Sequence, residues 1–283
     1  MSQSKLFPAN KTLNVNGRLI DLTIPKVMGI LNITPDSFYE GSRQTGETVI
    51  NKVEQMVNEG VDFIDVGGYS SRPAASDISL DEELKRILPV IKSLKKKFPE
   101  LIISIDTFRS EVARQAISEG AEMVNDISGG SLDEKMLSVV AYANVPYVMM
   151  HMRGTPQTMN QFTNYENLMK EISDYFHPKI YLAQQAGIKD IIIDPGFGFA
   201  KKVQQNFELL NNLSHLRIFG KPLLVGLSRK SMIWKTLNIS PEEALNGTTS
   251  LHTLALLQGA SILRVHDVKE AKQCIGLIVS SRQ

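Results

Sequence analysis

Three side chains able to read a flat polar ring stand far apart in the chain but in like settings. Asp106 closes LIISIDT, Asn125 lies in AEMVNDIS, and Asp194 lies in DIIIDPG. A carboxylate accepts two parallel N–H bonds from a guanidine-like edge, and an amide both donates and accepts. Together they suit a heterocycle with an amino group beside ring N–H groups. Singly, each also suits an N-cap, a strand-end turn or an ion pair with a neighbouring Arg. The cations come later: Arg229 and Lys230 in PLLVGLSRK, Arg264 and His266 in SILRVHD. Arg offers a phosphate a planar fork, and His adds a donor or a proton. Arg264 and His266 are two apart and share a face if a strand continues through them. Arg229 and Lys230 are adjacent, so one is expected in a cleft and the other in a structural pair. Further polar ends are Asn32, Asp65, Asp126, His151, Arg153 and Ser228. His177, His215 and His252 fall in helical segments and read as structural.

The elements that must position these groups recur along the chain. Eight short apolar runs, starting with KVMGILN and VDFIDVGG and ending with SILRVHD, are nearly continuous in Val, Ile and Leu. Such runs suit strands covered on both faces, as in a parallel sheet. Between them lie helical spacings, such as TVINKVEQMVNEG and LDEELKRILPVIKSLKKKF. The second starts acidic and ends basic, which suits the helix dipole, and Pro89 inside it is a possible kink. Ser240 before Pro241 reads as an N-cap with proline at the first helical position of a helix running to Gly259. The runs repeat about every 33 residues, the size of a βα unit. Eight such units favour an α/β fold, a closed (β/α)₈ barrel of the TIM type, over an open doubly wound sheet. The strand ends then gather every polar group above at one mouth, with the phosphate site expected after the last two strands.

The front piece, TLNVNGRLIDLTIP, alternates apolar residues around Asn16-Gly17, a strong hairpin signal. It is expected to cap the bottom of the barrel. No linker divides the chain, so residues 1–283 read as a single domain, with the hairpin in 1–25 and the barrel in 26–283. Two stretches, ITPDSFYEGSRQTG (33–46) and GGYSSRPAASDIS (67–79), exceed an ordinary βα connection. They are candidate lids over the mouth.

Composition narrows the function classes. The chain has 283 residues, 42% apolar and 22% charged, with a net charge of +1, so no basic excess points to nucleic acid. Its one cysteine, Cys274, permits no intrachain disulfide. No apolar stretch is long enough to cross a membrane and no signal-peptide core starts the chain, so a cytoplasmic location is the expectation. Nucleotide-loop, zinc-protease and serine-hydrolase motifs are absent.

The segments GILNITPDSF, SSRP, SIDT, VNDISGG, HMRGTPQTM, IDPGFGF, VGLSRKSM and LRVHD together resemble the dihydropteroate synthases of the pterin-binding (β/α)₈ family, from about residue 26 onward. The resemblance implies condensation of 6-hydroxymethyl-7,8-dihydropterin pyrophosphate with para-aminobenzoate, a step of folate synthesis that is the target of sulfonamides. It implies that Asp106, Asn125, Asp194 and Lys230 bind the pterin. It implies that Asn32, Arg72, Arg264 and His266 bind the pyrophosphate, with Asn32 helping to hold Mg2+. Ser71, Arg72, Pro73, Phe199, Lys230 and Ser231 would surround para-aminobenzoate. Lys230, Arg264 and His266 would be the catalytic cations, and the family suggests a homodimer through the last helices. Four positions depart from the family pattern: Tyr69 for Glu, Ser71 for Thr, and Ala74 and Ala200 for Gly. Two other readings share the scaffold. One is a methyltransferase from methyltetrahydrofolate to a corrinoid protein, which has no pyrophosphate to bind. The other is a pterin-binding paralogue without turnover.

Overall fold

The computed structural model describes residues 11–33, 43–69 and 77–282. Two short antiparallel strands come first, β1 (Thr12–Val15) and β2 (Arg18–Asp21). Asn16 and Gly17 turn between them at φ +49° and +81°, the left-handed pair that an Asn-Gly hairpin requires.

The eight apolar runs become eight parallel strands: β3 (Lys26–Asn32), β4 (Phe63–Gly67), β5 (Ile102–Asp106), β6 (Met123–Asp126), β7 (Tyr147–Met150), β8 (Ile191–Asp194), β9 (Leu224–Val225) and β10 (Ile262–Val265). Neighbours in sequence are neighbours in the sheet from β3 through β8, and β10 joins β3 to β9. A parallel bridge from Ile193 to Leu223 closes the circle between β8 and β9. That order excludes the open doubly wound sheet and gives the (β/α)₈ barrel.

The helices of the outer ring are α1 (Arg43–Asn58), α2 (Leu80–Lys97), α3 (Ser110–Ser118), α4 (Met136–Ala143), α5 (Leu168–Gln185), α6 (Val203–Asn211), α7 (Ser231–Leu237), α8 (Leu245–Leu257) and α9 (Val268–Ser280). In α2, Ser79 caps the first turn by accepting from the Glu82 N–H, and the helix runs unbroken through Pro89. Two details differ from the sequence reading. The short helix α7 falls between the run that ends at Lys230 and the helix expected from Pro241, in a stretch to which the sequence reading gives no element. The helix expected from Pro241 starts only at Leu245, because the guanidinium of Arg229 takes the carbonyls of Pro241 and Glu242 and holds them in a turn.

Strand alternation divides the side chains into two sets. Outward residues such as Val27, Ile64, Ile103, Val124, Tyr147, Ile193 and Leu263 pack against the helices. Inward residues Met28, Phe63, Ile102, Met123, Val148, Ile192, Leu224 and Ile262 fill the lower barrel together with Leu13, Val15 and Leu22 of the hairpin segment. The hairpin is therefore a plug. Arg18 and Asn16 tie it to Glu122 at 2.7 and 3.3 Å.

Candidate active site

One inward position further up the same strands, the chemistry changes. Asp65 follows Phe63, Asn125 follows Met123, Asp194 follows Ile192 and Arg264 follows Ile262. Asp106 stands one step higher on β5. Asp65 accepts the amide N–H of Asn125 at 2.8 Å and the Nε–H of Arg264 at 2.6 Å. The Nη2 of Arg264 donates to Asp106 at 2.5 Å. Arg264 thus spans two carboxylates inside the mouth instead of standing free at the rim.

The segment after β8 is locked from several sides. Asp194 accepts the Gly196 N–H at 2.8 Å. Gly196 sits at φ +72°, and a side chain there would meet the His151 carbonyl at 2.0 Å, so only glycine fits. Lys201 is buried and bonds the carbonyls of Gly196 (2.9 Å) and Phe199 (3.1 Å) and the Nδ1 of His151 (3.0 Å). His151 is therefore a buried loop anchor. The locked segment presents the Phe197 carbonyl to Lys230 and places the Phe199 ring 4.7 Å from its Nζ.

Adjacent Arg229 points elsewhere, at φ +54°, and grips Asp267 through two bonds of 2.9 and 2.8 Å. Lys230 is thus the cleft cation and Arg229 the structural one. Ser231 opens α7 beside it, half-buried. His266 lies just past β10 and shares a 3.0 Å bond between its Nδ1 and Ser228. Asp126, next to Asn125, faces outward: it takes the Tyr147 hydroxyl and the backbone of Ser128 and Gly130, a purely structural set. Arg153 is likewise structural, bonded to Glu171 and to the Asn164 carbonyl. Ser71, Arg72, Pro73 and Ala74 lie outside the described residues, as does most of the first long loop.

Two departures from the family pattern have visible consequences. Tyr69 stacks edge-on against Phe108 and accepts a 2.5 Å bond from Gln157, so a ring contact and a neutral hydrogen bond stand where a carboxylate was expected. Ala200 holds φ +49°, a conformation costing an L-residue about 1 kcal/mol. Its methyl is packed among Ile127, Met150, Met152 and Met159.

The charges crowd. Burial pushes the Asp106 carboxyl up to about 7, against the pull of Arg264 and with the help of negative Asp65. Burial raises Asp194 too, opposed by Lys230. Lys230 is brought down to about 8 by burial, with Asp194 opposing. Burial works against the Arg264 charge, but Asp65 and Asp106 outweigh it and hold Arg264 above its ordinary value. Desolvation by the surrounding mouth and then the Arg264 charge bring His266 down to about 4, although the residue itself is exposed.

Asp65 was seen in the sequence only as one polar strand end among several. The signal that could have singled it out is its parity: it lies two residues from both Phe63 and Gly67, on the inward row. For a metal, no three His, Cys, Asp or Glu side chains converge among the described residues. At the rim, Asn32 Oδ1 and Asp106 Oδ2 each lie 3.6 Å from where a methyl group on Gly67 would stand. Mg2+ keeps several waters and takes few protein oxygens when a substrate phosphate binds it. Asp106 Oδ2 already holds Arg264, so Asn32 is the oxygen that fits an ion carried mainly by a diphosphate.

A (β/α)₈ barrel whose mouth gathers carboxyl groups and cations in this way has close parallels. The family model of pterin binding enzymes matches residues 28–266. The dihydropteroate synthase of Escherichia coli is 43% identical over 272 residues, covering 94% of this chain and 95% of that one. That of Synechocystis is 47% identical over 251 residues, covering 87% and 86%. Among solved structures, the Yersinia pestis dihydropteroate synthase with a sulfonamide drug aligns with TM-score 0.90 at 38% identity, covering 96% of this chain and 99% of that one. The Xanthomonas albilineans dihydropteroate synthase with 4-aminobenzoic acid aligns with TM-score 0.89 at 37% identity, covering 97% and 99%. By motif, fold, site and relatives, this chain belongs to the pterin-binding enzyme family, among the dihydropteroate synthases.

Proposed function

We infer that this protein is a transferase that joins 6-hydroxymethyl-7,8-dihydropterin pyrophosphate to para-aminobenzoate, giving 7,8-dihydropteroate and pyrophosphate. Relatives of this name at 43% and 47% identity, and a Xanthomonas albilineans structure in complex with 7,8-dihydropteroate, support the reading. The observation that carries it is the inward-facing set Asp106, Asn125 and Asp194 with Lys230 and Arg264 at one mouth. The carboxylates and the amide read the amino-pyrimidine edge of the pterin, and Lys230 meets its carbonyl side. Arg264 and His266 take the diphosphate, with Arg72 from the second long loop. The Lys230 stem, Phe199 and Ser231 flank the arylamine, with Ser71, Arg72 and Pro73 completing its site.

In the reaction the C–O bond at the pterin methylene breaks, the C–N bond to the arylamine forms, and the nitrogen releases one proton. The electron-rich dihydropterin can spread positive charge from that methylene, so a largely dissociative substitution is favoured. The cations then stabilise charge collecting on the leaving group. Asn32 would help hold Mg2+, whose role is to neutralise the diphosphate further. No enzyme nucleophile is required; the site's work is to orient two substrates and exclude water.

No described helix is long and apolar enough to cross a membrane. A homodimer through α8 and α9 is supported by exposed Leu254, Leu257 and Leu277 on those adjacent helices; light scattering on purified protein tests it. The function is tested by assaying pyrophosphate release with each substrate omitted, with and without Mg2+. Release is expected only with both substrates and the ion. Release independent of para-aminobenzoate would contradict the reading. Methyl transfer from methyltetrahydrofolate would do so as well.

A further inference from the structure

We propose that Asp65 is a positioning residue for ligand recognition, fixing the Asn125 amide with its nitrogen on Asp65 and its carbonyl oxygen turned to the ligand. The proposal rests on the function inferred above. Asp65 is fully buried at the level where the barrel interior turns from apolar to polar. One of its oxygens, Oδ2, receives both the Asn125 amide at 2.8 Å and the Arg264 Nε–H at 2.6 Å. The other, Oδ1, is buried with no hydrogen-bond partner among the described residues. An unsatisfied buried carboxylate oxygen is costly, and a position chosen for packing would carry an apolar residue, as Phe63 does one step below.

The direction of the Asn125 amide follows from the chemistry of its neighbour. An ionised carboxylate only accepts. With the amide reversed, the Asn125 oxygen would face the Asp65 oxygen, and a charge-assisted bond would become a repulsion. Asn125 therefore offers the ligand an acceptor oxygen beside the carboxyl groups of Asp106 and Asp194. The wall then selects a ligand edge made of donors, an amino group and ring N–H groups, while Lys230 serves its carbonyl. Were Asp65 absent, the Arg264 Nε–H would be free to take the Asn125 oxygen itself and turn the amide nitrogen toward the ligand. Asp65 touches no ligand under this scheme; it sets the polarity of the residue that does.

A double-mutant cycle read by calorimetry with 6-hydroxymethyl-7,8-dihydropterin tests it. Asp65→Ala is expected to weaken binding about tenfold, the preference of roughly one charge-assisted bond. In an Asn125→Ala background the same change should cost about twofold or less, because its target is gone. Asp65→Asn keeps an oxygen for both donors and should stay within about threefold of the unaltered protein. Equal losses in both backgrounds would show a merely structural ion pair and overturn the proposal. A second measurement needs no variant: neutron diffraction from the unaltered protein with the same pterin. The Asn125 oxygen on the ligand and its deuterated nitrogen on Asp65 support the proposal; the reverse overturns it. Failure of the unaltered protein to bind the pterin at all would overturn the inferred function together with this role, whereas binding with additive losses would overturn this role alone.

Discussion

In the lower half of the barrel interior, Phe63, Ile102, Met123 and Ile192 pack against the hairpin plug; one inward step later on the same strands stand Asp65, Ser104, Asn125 and Asp194. About 7 Å of strand separates the two levels. The backbone, the face and the burial are alike, so the difference lies in side-chain chemistry alone. The lower level is apolar throughout and returns its full burial as stability. The upper level leaves Asp65 Oδ1 and Ser104 Oγ buried without hydrogen-bond partners among the described residues. Burial pushes upward the carboxyl of Asp194 in this level and that of Asp106 one step above it. Such a level costs folding free energy and has a rationale only in binding. The barrel thus keeps stability and recognition on one set of strands, a single pleat apart.

Substitutions at the two levels should therefore fail in opposite ways. The largest effect is expected from Phe63→Ala below, a loss of about 3–5 kcal/mol in unfolding free energy by denaturant titration, with pterin affinity of the folded protein little changed. Asp194→Ala above should weaken pterin binding by about 2 kcal/mol, roughly thirtyfold by calorimetry. Its unfolding free energy should hold or rise, since burial already disfavours that carboxylate.

Asp106 gives a pH test of the same contrast. Its folded-state carboxyl, near 7, lies above its ordinary value, so the folded state retains a proton that the unfolded chain releases first. Its contribution favours folding at pH 4 and is lost as pH rises toward 7. Asp106→Asn should match the unaltered protein near pH 4 and exceed it above pH 7 by on the order of 1 kcal/mol, checked by thermal unfolding across pH. A gain on the acid side instead would invert the argument. The smallest effect belongs to the plug: Gly17→Ala at φ +81° should cost about 1 kcal/mol of stability and leave pterin affinity intact.

Much of this was legible in the chain. Eight buried runs became eight strands because parallel strands are apolar on both faces, and Asn16-Gly17 became a hairpin turn because it tolerates positive φ. What was lost depended on partners distant in sequence. Pro241 has the local signature of a helix start, but Arg229, twelve residues earlier, captures its carbonyl. His151 reads in the sequence as one more polar strand end, and its bond to Lys201, fifty residues away, is visible only in the fold. The roles of Asn125 and Asp126 differ only by strand parity, which the motif itself does not display. Asp65 reads only as one polar strand end among several because nothing near it in sequence binds it; its partners are Asn125 and Arg264, from across the barrel.

The claim on which the rest stands is that the upper level is a pterin-reading wall. Diffraction from crystals soaked with 6-hydroxymethyl-7,8-dihydropterin tests it most directly. The ring is expected inside the mouth, its amino-pyrimidine edge within hydrogen-bond distance of Asp106, Asn125 and Asp194. A ring bound elsewhere, or held in the mouth with that edge turned away from all three, would contradict the account.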